Sequence, residues 1–243
     1  VLKAREQLNQ IKNRMMEAPD QEDYKTYFST LRQLKRETIV QADGFMVDED
    51  LPVSFLPEQL QHESLGFCKE SHFTFSGRFI FPVKDPNGDV MGFLGYDKFE
   101  EPKYLDSRNQ GYKAKHTTFM GMEKLRDYYQ SDHVIFVEGV ICMLWLRENG
   151  FNAFASLGAY MNPYLVKVAA RFKDRAIFIP DGDETGGKYG RNVRRYLPMA
   201  KVVRPKIKKD VDDTRLEFGT EIVKEDLNKI IRNGNSVGSS FFQ

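Results

Sequence analysis

The chain has 243 residues, 41% hydrophobic and 13% aromatic, with 36 Lys and Arg against 35 Asp and Glu and a net charge of +1. That length and apolar content suit a large folded domain with a small satellite, and a near-neutral balance decides nothing about a polyanionic partner unless the signs are segregated. Two cysteines (Cys68 and Cys142) without a Cys-x-x-Cys argue against a local zinc ribbon or a disulfide scaffold, no apolar run approaches a membrane span, and no signal-peptide pattern opens the chain.

Residues 2–17 and 22–38 read as two helices, with Leu31, Leu34 and Ile39 as core positions. Residues 40–70 read as irregular, with Pro52, Pro57 and a short helix from Glu58. The β-rich runs 79–83 and 90–94 flank Asp85-Pro86-Asn87-Gly88, and Asn-Gly there is a strong hairpin signal. A helix is expected over 118–130. A strand over 133–137 then ends in Glu138-Gly139. Residues 140–149 read as a helix closed by Gly150, and 151–156 as a strand ending in Leu157-Gly158. Asn162 and Pro163 suit the N-cap and first position of a helix carrying Leu165, Val168, Ala169 and Phe172 at helical spacing.

A third strand, 176–179, runs into Pro180-Asp181-Gly182-Asp183. The helix expected over 186–197 carries Lys188, Arg191, Arg194 and Arg195 as a basic face, ordinarily a solvated one. Residues 201–204 read as another strand. Asp210-Val211-Asp212-Asp213 follows, with Asp212 or Asp213 suited to capping a helix. Residues 221–231 form a last expected helix, and 233–240 read as a mobile tail.

Strand, helix, strand, helix, strand predicts parallel crossovers, so Glu138, Asp181 and Asp183 fall at one sheet edge. Two Asp at i and i+2 can share a hard cation if the chain turns sharply, which Gly182 permits. Three converging carboxylates repel unless a cation neutralises them. The alternative, that each caps a helix, explains one acid better than three. Asp210 and Asp212 either extend this site or belong to a solvated loop.

Glu138-Gly139, Ala155-Ser156-Leu157-Gly158, Asp181-Gly182-Asp183-Glu184-Thr185-Gly186 and Asp210-Val211-Asp212 together resemble the Toprim domain of bacterial-type primases, topoisomerases and some nucleases. A second block is similar to the amino-terminal half of the DnaG-type RNA polymerase domain. It comprises residues 77–85, 88–95 and Pro102-Lys103-Tyr104-Leu105-Asp106-Ser107. The two cover roughly residues 75 to 215. Cys142 stands where the Glu-Gly-x-x-Asp pattern has Asp, and Tyr96 where the family often has Arg.

The resemblance implies an α/β fold (α+β overall), with a Toprim-type mostly parallel sheet flanked by helices. It places an amino-terminal mixed α+β subdomain over 1–125, a Toprim subdomain over 126–215, and a helix and tail over 216–243. The implied activity is RNA primer synthesis on single-stranded DNA from rNTPs, with two or more Mg²⁺ or Mn²⁺ ions. Glu138, Asp181, Asp183, Asp210 and Asp212 are the implied metal ligands. Glu138, Asp181 and Asp183 are the implied catalytic residues, and Glu138 is either a ligand or a general acid/base. Arg78, Lys103, Tyr104, Lys113 and Lys115 match template or nucleotide contacts. Gly139, Gly158 and Gly182 would admit close backbone approach.

Basic residues gather at Arg78, Lys84, Lys98, Lys103, Arg108, Lys113, Lys115 and His116. They read as a basic track feeding the acidic site. Phe93 reads as core. His72, His116 and His133 lack metal-ligand spacing. Zinc-binding and helicase-binding domains are not visible, so the expectation is a monomeric catalytic core in a bacterial or virus-infected bacterial cytoplasm. It would touch no membrane and reach a replicative helicase through a segment not present here. The competing readings are a Toprim nuclease or topoisomerase fragment, and a non-catalytic single-stranded DNA-binding initiation factor.

Overall fold

Phe79–Lys84 and Val90–Tyr96 pair antiparallel as the Asn87-Gly88 turn predicts, from Phe79 opposite Tyr96 to Lys84 opposite Val90. Asp85 closes the turn: its Oδ1 accepts from the amides of Asn87 at 2.8 Å and Asp89 at 3.1 Å, while Gly88 takes a φ of +87°. The computed structural model describes residues 9, 12–13, 21–47, 68–69, 72–109, 112–113, 119–159, 161, 163–233 and 240–242. It divides into two units, 1–117 and 118–243. The expected helix over 2–17, the short helix from Glu58, Asn162 and the tail 233–239 lie largely or wholly outside the described residues.

The first unit runs α1 (Gln21–Arg32), α2 (Arg36–Gln41), β1 (Phe45–Met46), β2 (Cys68–Lys69), β3 (His72–Phe73), β4 (Phe79–Lys84), β5 (Val90–Tyr96), β6 (Tyr104–Asp106), β7 (Arg108–Asn109) and β8 (Tyr112–Lys113). One antiparallel sheet has the order β1-β4-β5-β6. Aromatic packing holds α1 to it: Phe28 stacks on Phe79 at 4.0 Å and meets Phe81 and Tyr96 edge-on. The single helix expected over 22–38 is two. At the break Gln33 turns left-handed (φ +48°), the Leu34 amide reaches back to the Ser29 carbonyl at 3.0 Å, and Leu34 buries its side chain. This is a Schellman closure made without glycine.

The second unit runs α3 (Leu125–Tyr128), β9 (Val134–Val137), α4 (Val140–Glu148), β10 (Ala153–Ala155), α5 (Pro163–Ala169), β11 (Ala176–Ile179), α6 (Glu184–Tyr196), β12 (Lys201–Val202), α7 (Val211–Phe218) and α8 (Thr220–Asn233). The four strands form a parallel sheet in the order β10-β9-β11-β12. The helix expected over 118–130 is one 3₁₀ turn, 122–124, and one α turn, because Gly121 before it sits at φ +96°. Gly150 (φ +85°) follows the end of α4 as expected.

From β9 the chain crosses to β10 on one side, then returns past β9 to β11 and β12. Right-handed crossovers put α4 on one face and α5 and α6 on the other. Side-chain alternation agrees. Val134, Phe136, Phe154, Ala176 and Phe178 join one core with Leu165, Val168 and Phe172 of the α5 region and Tyr189 and Val193 of α6. The alternate positions Ile135, Val137, Ala153, Ile177 and Ile179 are also buried, and α4, buried from Val140 to Leu146, packs on β9 and β10. A parallel sheet covered on both faces explains why its strands read as unbroken apolar runs.

Phe136 is central, with its ring stacked on Phe178 at 4.6 Å and further contacts to Phe119, Phe154 and Phe172. Phe136→Ala is expected to lower the unfolding free energy by about 3–5 kcal/mol. It would be read as a lower urea midpoint at an unchanged m-value. A midpoint equal to the parent's would refute this account of the core.

Candidate active site

In an open α/β sheet, a crevice opens at the carboxyl ends of neighbouring strands whose connections leave to opposite faces. Here those strands are β9 and β11, in register from Ala176 opposite Val134 to Ile179 opposite Val137. The next residues outward are Glu138 on one strand and Pro180-Asp181 on the other. Glu138 Oε1 accepts the Asp181 amide at 2.9 Å. On the other flank of β9, the amides of Ser156 and Leu157 donate to the carbonyls of Val137 (2.8 Å) and Glu138 (3.1 Å). Leu157 takes a left-handed φ of +59°, followed by Gly158 at +118°. A non-glycine there carries strain, which persists because both sides of the segment are tied down.

The turn 181–183 is held from outside. Arg204, just beyond β12, donates to the carbonyls of Asp181 (3.3 Å), Gly182 (2.8 Å) and Asp183 (2.7 Å). The Gly182 amide donates to the Lys209 carbonyl at 2.5 Å. Gly182 does not sit in the left-handed region, so the expected reason for glycine is corrected: a Cβ would stand 2.8 Å from the Lys208 carbonyl oxygen. Gly186 is tighter, because a Cβ there would overlap the Asp181 carbonyl. Gly139, at φ −97°, is the N-cap of α4 and needs no glycine conformation.

Asp183 caps α6, accepting the Gly186 amide at 2.9 Å, so the helix starts at Glu184, earlier than the expected 186. Asp210 caps α7 through the Asp213 amide at 2.8 Å, displacing Asp212 and Asp213 from that role. Asp212 is drawn into the interior instead. It is 2% exposed, and its Oδ1 accepts from Arg215 Nη2 at 2.7 Å and Nε at 2.9 Å. Its carboxylate is therefore engaged in a buried pair, unlike the other four acids.

Those four share a field. Burial, with the Glu138 and Asp210 carboxylates beside it, pushes the Asp181 carboxyl up to about 8 against the pull of Lys209. Burial also raises Glu138, opposed by the Asp181 amide and reinforced by Asp183. Lys209 Nζ lies 3.9 Å from Asp181 Oδ2 and 3.7 Å from Asp183 Oδ2. Partial burial would lower this ammonium, but Asp181, Asp183 and Asp210 outweigh it and raise its pKa.

Among the described residues no three Asp, Glu, His or Cys side chains already converge on one ion position. The donor set nonetheless fits a hard divalent cation. Its side chains offer only oxygen, and four acids outnumber the two cations that act on them among the described residues, the exposed Lys209 and Arg204, whose guanidinium is engaged with backbone carbonyls. Mg²⁺ keeps several waters, so few protein oxygens suffice. Lys209 and Arg204 were not singled out from sequence as parts of this site. Their signal was a cation one residue before an acidic run and another at a strand end.

The expected template contacts lie in the first unit. Arg78 is 7% exposed and its Nη1 donates to the carbonyls of Pro102 (3.0 Å) and Lys103 (3.4 Å). Its guanidinium thus braces the segment leading into β6. Lys103 Nζ lies over the rings of Tyr96 and Tyr104 at 5.5 and 5.7 Å. Tyr96, at the position of the family arginine, is buried, as is Phe93. Lys113 lies on β8 with its side chain outside the described residues, and Lys115 and His116 are outside altogether. Cys142 is buried in the first turn of α4.

A family model described as the DNA primase catalytic core, N-terminal domain, matches residues 3–126. The chain is 31% identical over 172 residues to the DNA primase of Aquifex aeolicus, covering 69% of this chain and 34% of that protein. It therefore spans about a third of that relative's length. A solved DnaG catalytic core superposes with a TM-score of 0.76 at 21% identity, covering 93% of this chain and 78% of that one. A DnaG primase catalytic domain bound to single-stranded DNA superposes with a TM-score of 0.74 at 20% identity, covering 96% and 87%. These two likenesses establish the fold, including the parallel sheet that carries the carboxylates.

Because Asp181 holds its proton more tightly folded than unfolded, the metal-free folded state binds more protons between about pH 4 and about pH 8. Stability should therefore fall as pH rises across that window and level off above it. Asp181→Asn should flatten this dependence in urea titrations with chelator present. A wild-type stability that rises steadily from pH 5 to pH 8 would contradict the burial argument.

Proposed function

The chain belongs to the DNA primase catalytic-core family, and on that premise we propose that it extends RNA primers on single-stranded DNA by metal-dependent nucleotidyl transfer. The observation that carries the reading is the cluster of Glu138, Asp181, Asp183 and Asp210 around the β9–β11 crevice, with more negative charge than Lys209 offsets. The reaction joins a primer 3′-oxygen to the α-phosphorus of an rNTP, breaks the bond to the bridging oxygen and releases pyrophosphate. Bound Mg²⁺ or Mn²⁺ would lower the pKa of the hydroxyl and offset charge on the triphosphate.

Asp181, Asp183 and Asp210 are the residues that would hold the ions, with Glu138 as a further ligand or as the group that takes the 3′-hydroxyl proton. Burial, which raises the Glu138 pKa above the ordinary carboxylate range, favours the second role. Asp212 we assign to supporting α7 through Arg215, and Arg78 to shaping the segment that presents Lys103 and Tyr104. Lys103, Tyr104, Lys113 and Lys115 are the proposed contacts to template or nucleotide. The DnaG domain bound to single-stranded DNA supports that choice of template. A cytoplasmic monomer that works with a replicative helicase completes the proposal.

Primer extension on single-stranded DNA tests the reading without requiring unprimed initiation. Asp181→Ala/Asp183→Ala should reduce ribonucleotide incorporation by about 10²-fold or more in Mg²⁺ and in Mn²⁺, the scale of losing preorganised charge stabilisation at a reacting centre. Binding of template, followed by fluorescence anisotropy, should persist. A folded wild type that binds template but extends nothing with either metal would point to the non-catalytic binding reading. Release of nucleotides from DNA without rNTPs would point to a nuclease.

A further inference from the structure

The helix α6 starts at the catalytic edge, since Asp183 is its cap, and runs 13 residues away from it, about 20 Å. It carries Lys188, Arg191, Arg194 and Arg195 against one acid, Glu184, in a chain whose overall charge is +1. All four cations are exposed. Lys188, Arg191 and Arg195 recur at i, i+3 and i+7, so they form one stripe about 10 Å long. Arg191 and Arg195 have no acidic partner among the described residues, and Lys188 has only the exposed i,i+4 pair to Glu184 at 2.8 Å. Such a pair stabilises a helix by only a few tenths of a kcal/mol and exchanges readily for a phosphate. Arg195 lies over the ring of Tyr196 at 5.8 Å, and Tyr196, 53% exposed, adjoins the far end of the stripe.

We propose that this face of α6 is a secondary contact for the single-stranded template, with Arg191 and Arg195 on consecutive phosphates and Tyr196 as a stacking surface for an unpaired base. Cations aligned with an exposed aromatic are what a sequence-tolerant single-strand contact requires. The aromatic favours an unpaired strand over a duplex, whose bases are already stacked. The inference rests on the polymerase reading of the carboxylate edge, but its test needs neither metal nor rNTPs, so the two can fail separately.

Single-stranded DNA affinity would be measured by anisotropy across a salt series in chelator for wild type, Arg191→Gln/Arg195→Gln, and the control Lys224→Gln/Lys229→Gln on α8. Each lost phosphate contact lowers the slope of log affinity against log salt by about 0.7 for single strands. The α6 variant should lose about 1.4 in slope, which at 0.1 M salt is roughly 25-fold in affinity, while the control keeps the wild-type slope. Circular dichroism and urea midpoints would confirm that both variants fold. An unchanged slope in the folded α6 variant, or an equal loss in the control, overturns the proposal. The first outcome leaves a solvated helix face, and the second a general effect of net charge.

Discussion

The Asp181 amide donating to the Glu138 carboxylate is the contact on which the geometry of the site turns. It forms because β9 and β11 are neighbours in parallel register and end level with one another. A shift of one residue would point every β11 side chain at the opposite face, unstack Phe178 from Phe136 and take the Asp181 amide away from Glu138. The stacked rings of Phe136 and Phe178 therefore do more than fill the core. They fix the register, and the register fixes the distance between acids on two strands far apart in sequence.

Gathering acids at that edge has an electrostatic cost, and the surrounding residues show how it is distributed. Asp183 and Asp210 each spend one oxygen on a helix N-terminus, where the backbone amides favour negative charge. Asp181 has no such partner, lies between the others and is the most perturbed. Arg204 contributes positive charge beside Glu138, but its hydrogen bonds go to backbone and not to the acids. It binds three successive carbonyls, which keeps the turn folded while its side chains repel one another. Lys209 supplies charge, at distances that leave it easily displaced.

Much of this architecture is legible in the chain. The alternation of apolar runs with helical spacing gives the parallel sheet, and an acid within two residues of the end of each of two strands gives the edge. What sequence does not carry is the identity of the neighbours. Asp210 and Asp212 look equivalent two residues apart, yet α7 begins between them, so one caps the helix and the other meets Arg215 one turn on. Gly182 invites a conformational explanation, whereas its requirement comes from carbonyls some 26 residues away, at Lys208 and Lys209. The break at Gln33 has no glycine or proline to announce it. It depends on Leu34 finding a place in the core and on Ser29, whose hydroxyl donates to the Leu34 carbonyl at 2.5 Å.

The Gly182 amide bears on chemical ageing as well. In a flexible chain an Asp-Gly bond is prone to isomerise, because the glycine nitrogen attacks the aspartate side-chain carbonyl and closes a succinimide ring. Here that nitrogen is committed to the Lys209 carbonyl, and Arg204 holds the carbonyls on either side. The backbone cannot rotate into the attacking geometry without breaking several hydrogen bonds at once. Asp181 thus occupies one of the most labile dipeptides available to a protein while the fold protects it. Damage at this bond would accumulate in unfolded molecules first, making an isoaspartate at position 181 a record of unfolding during storage.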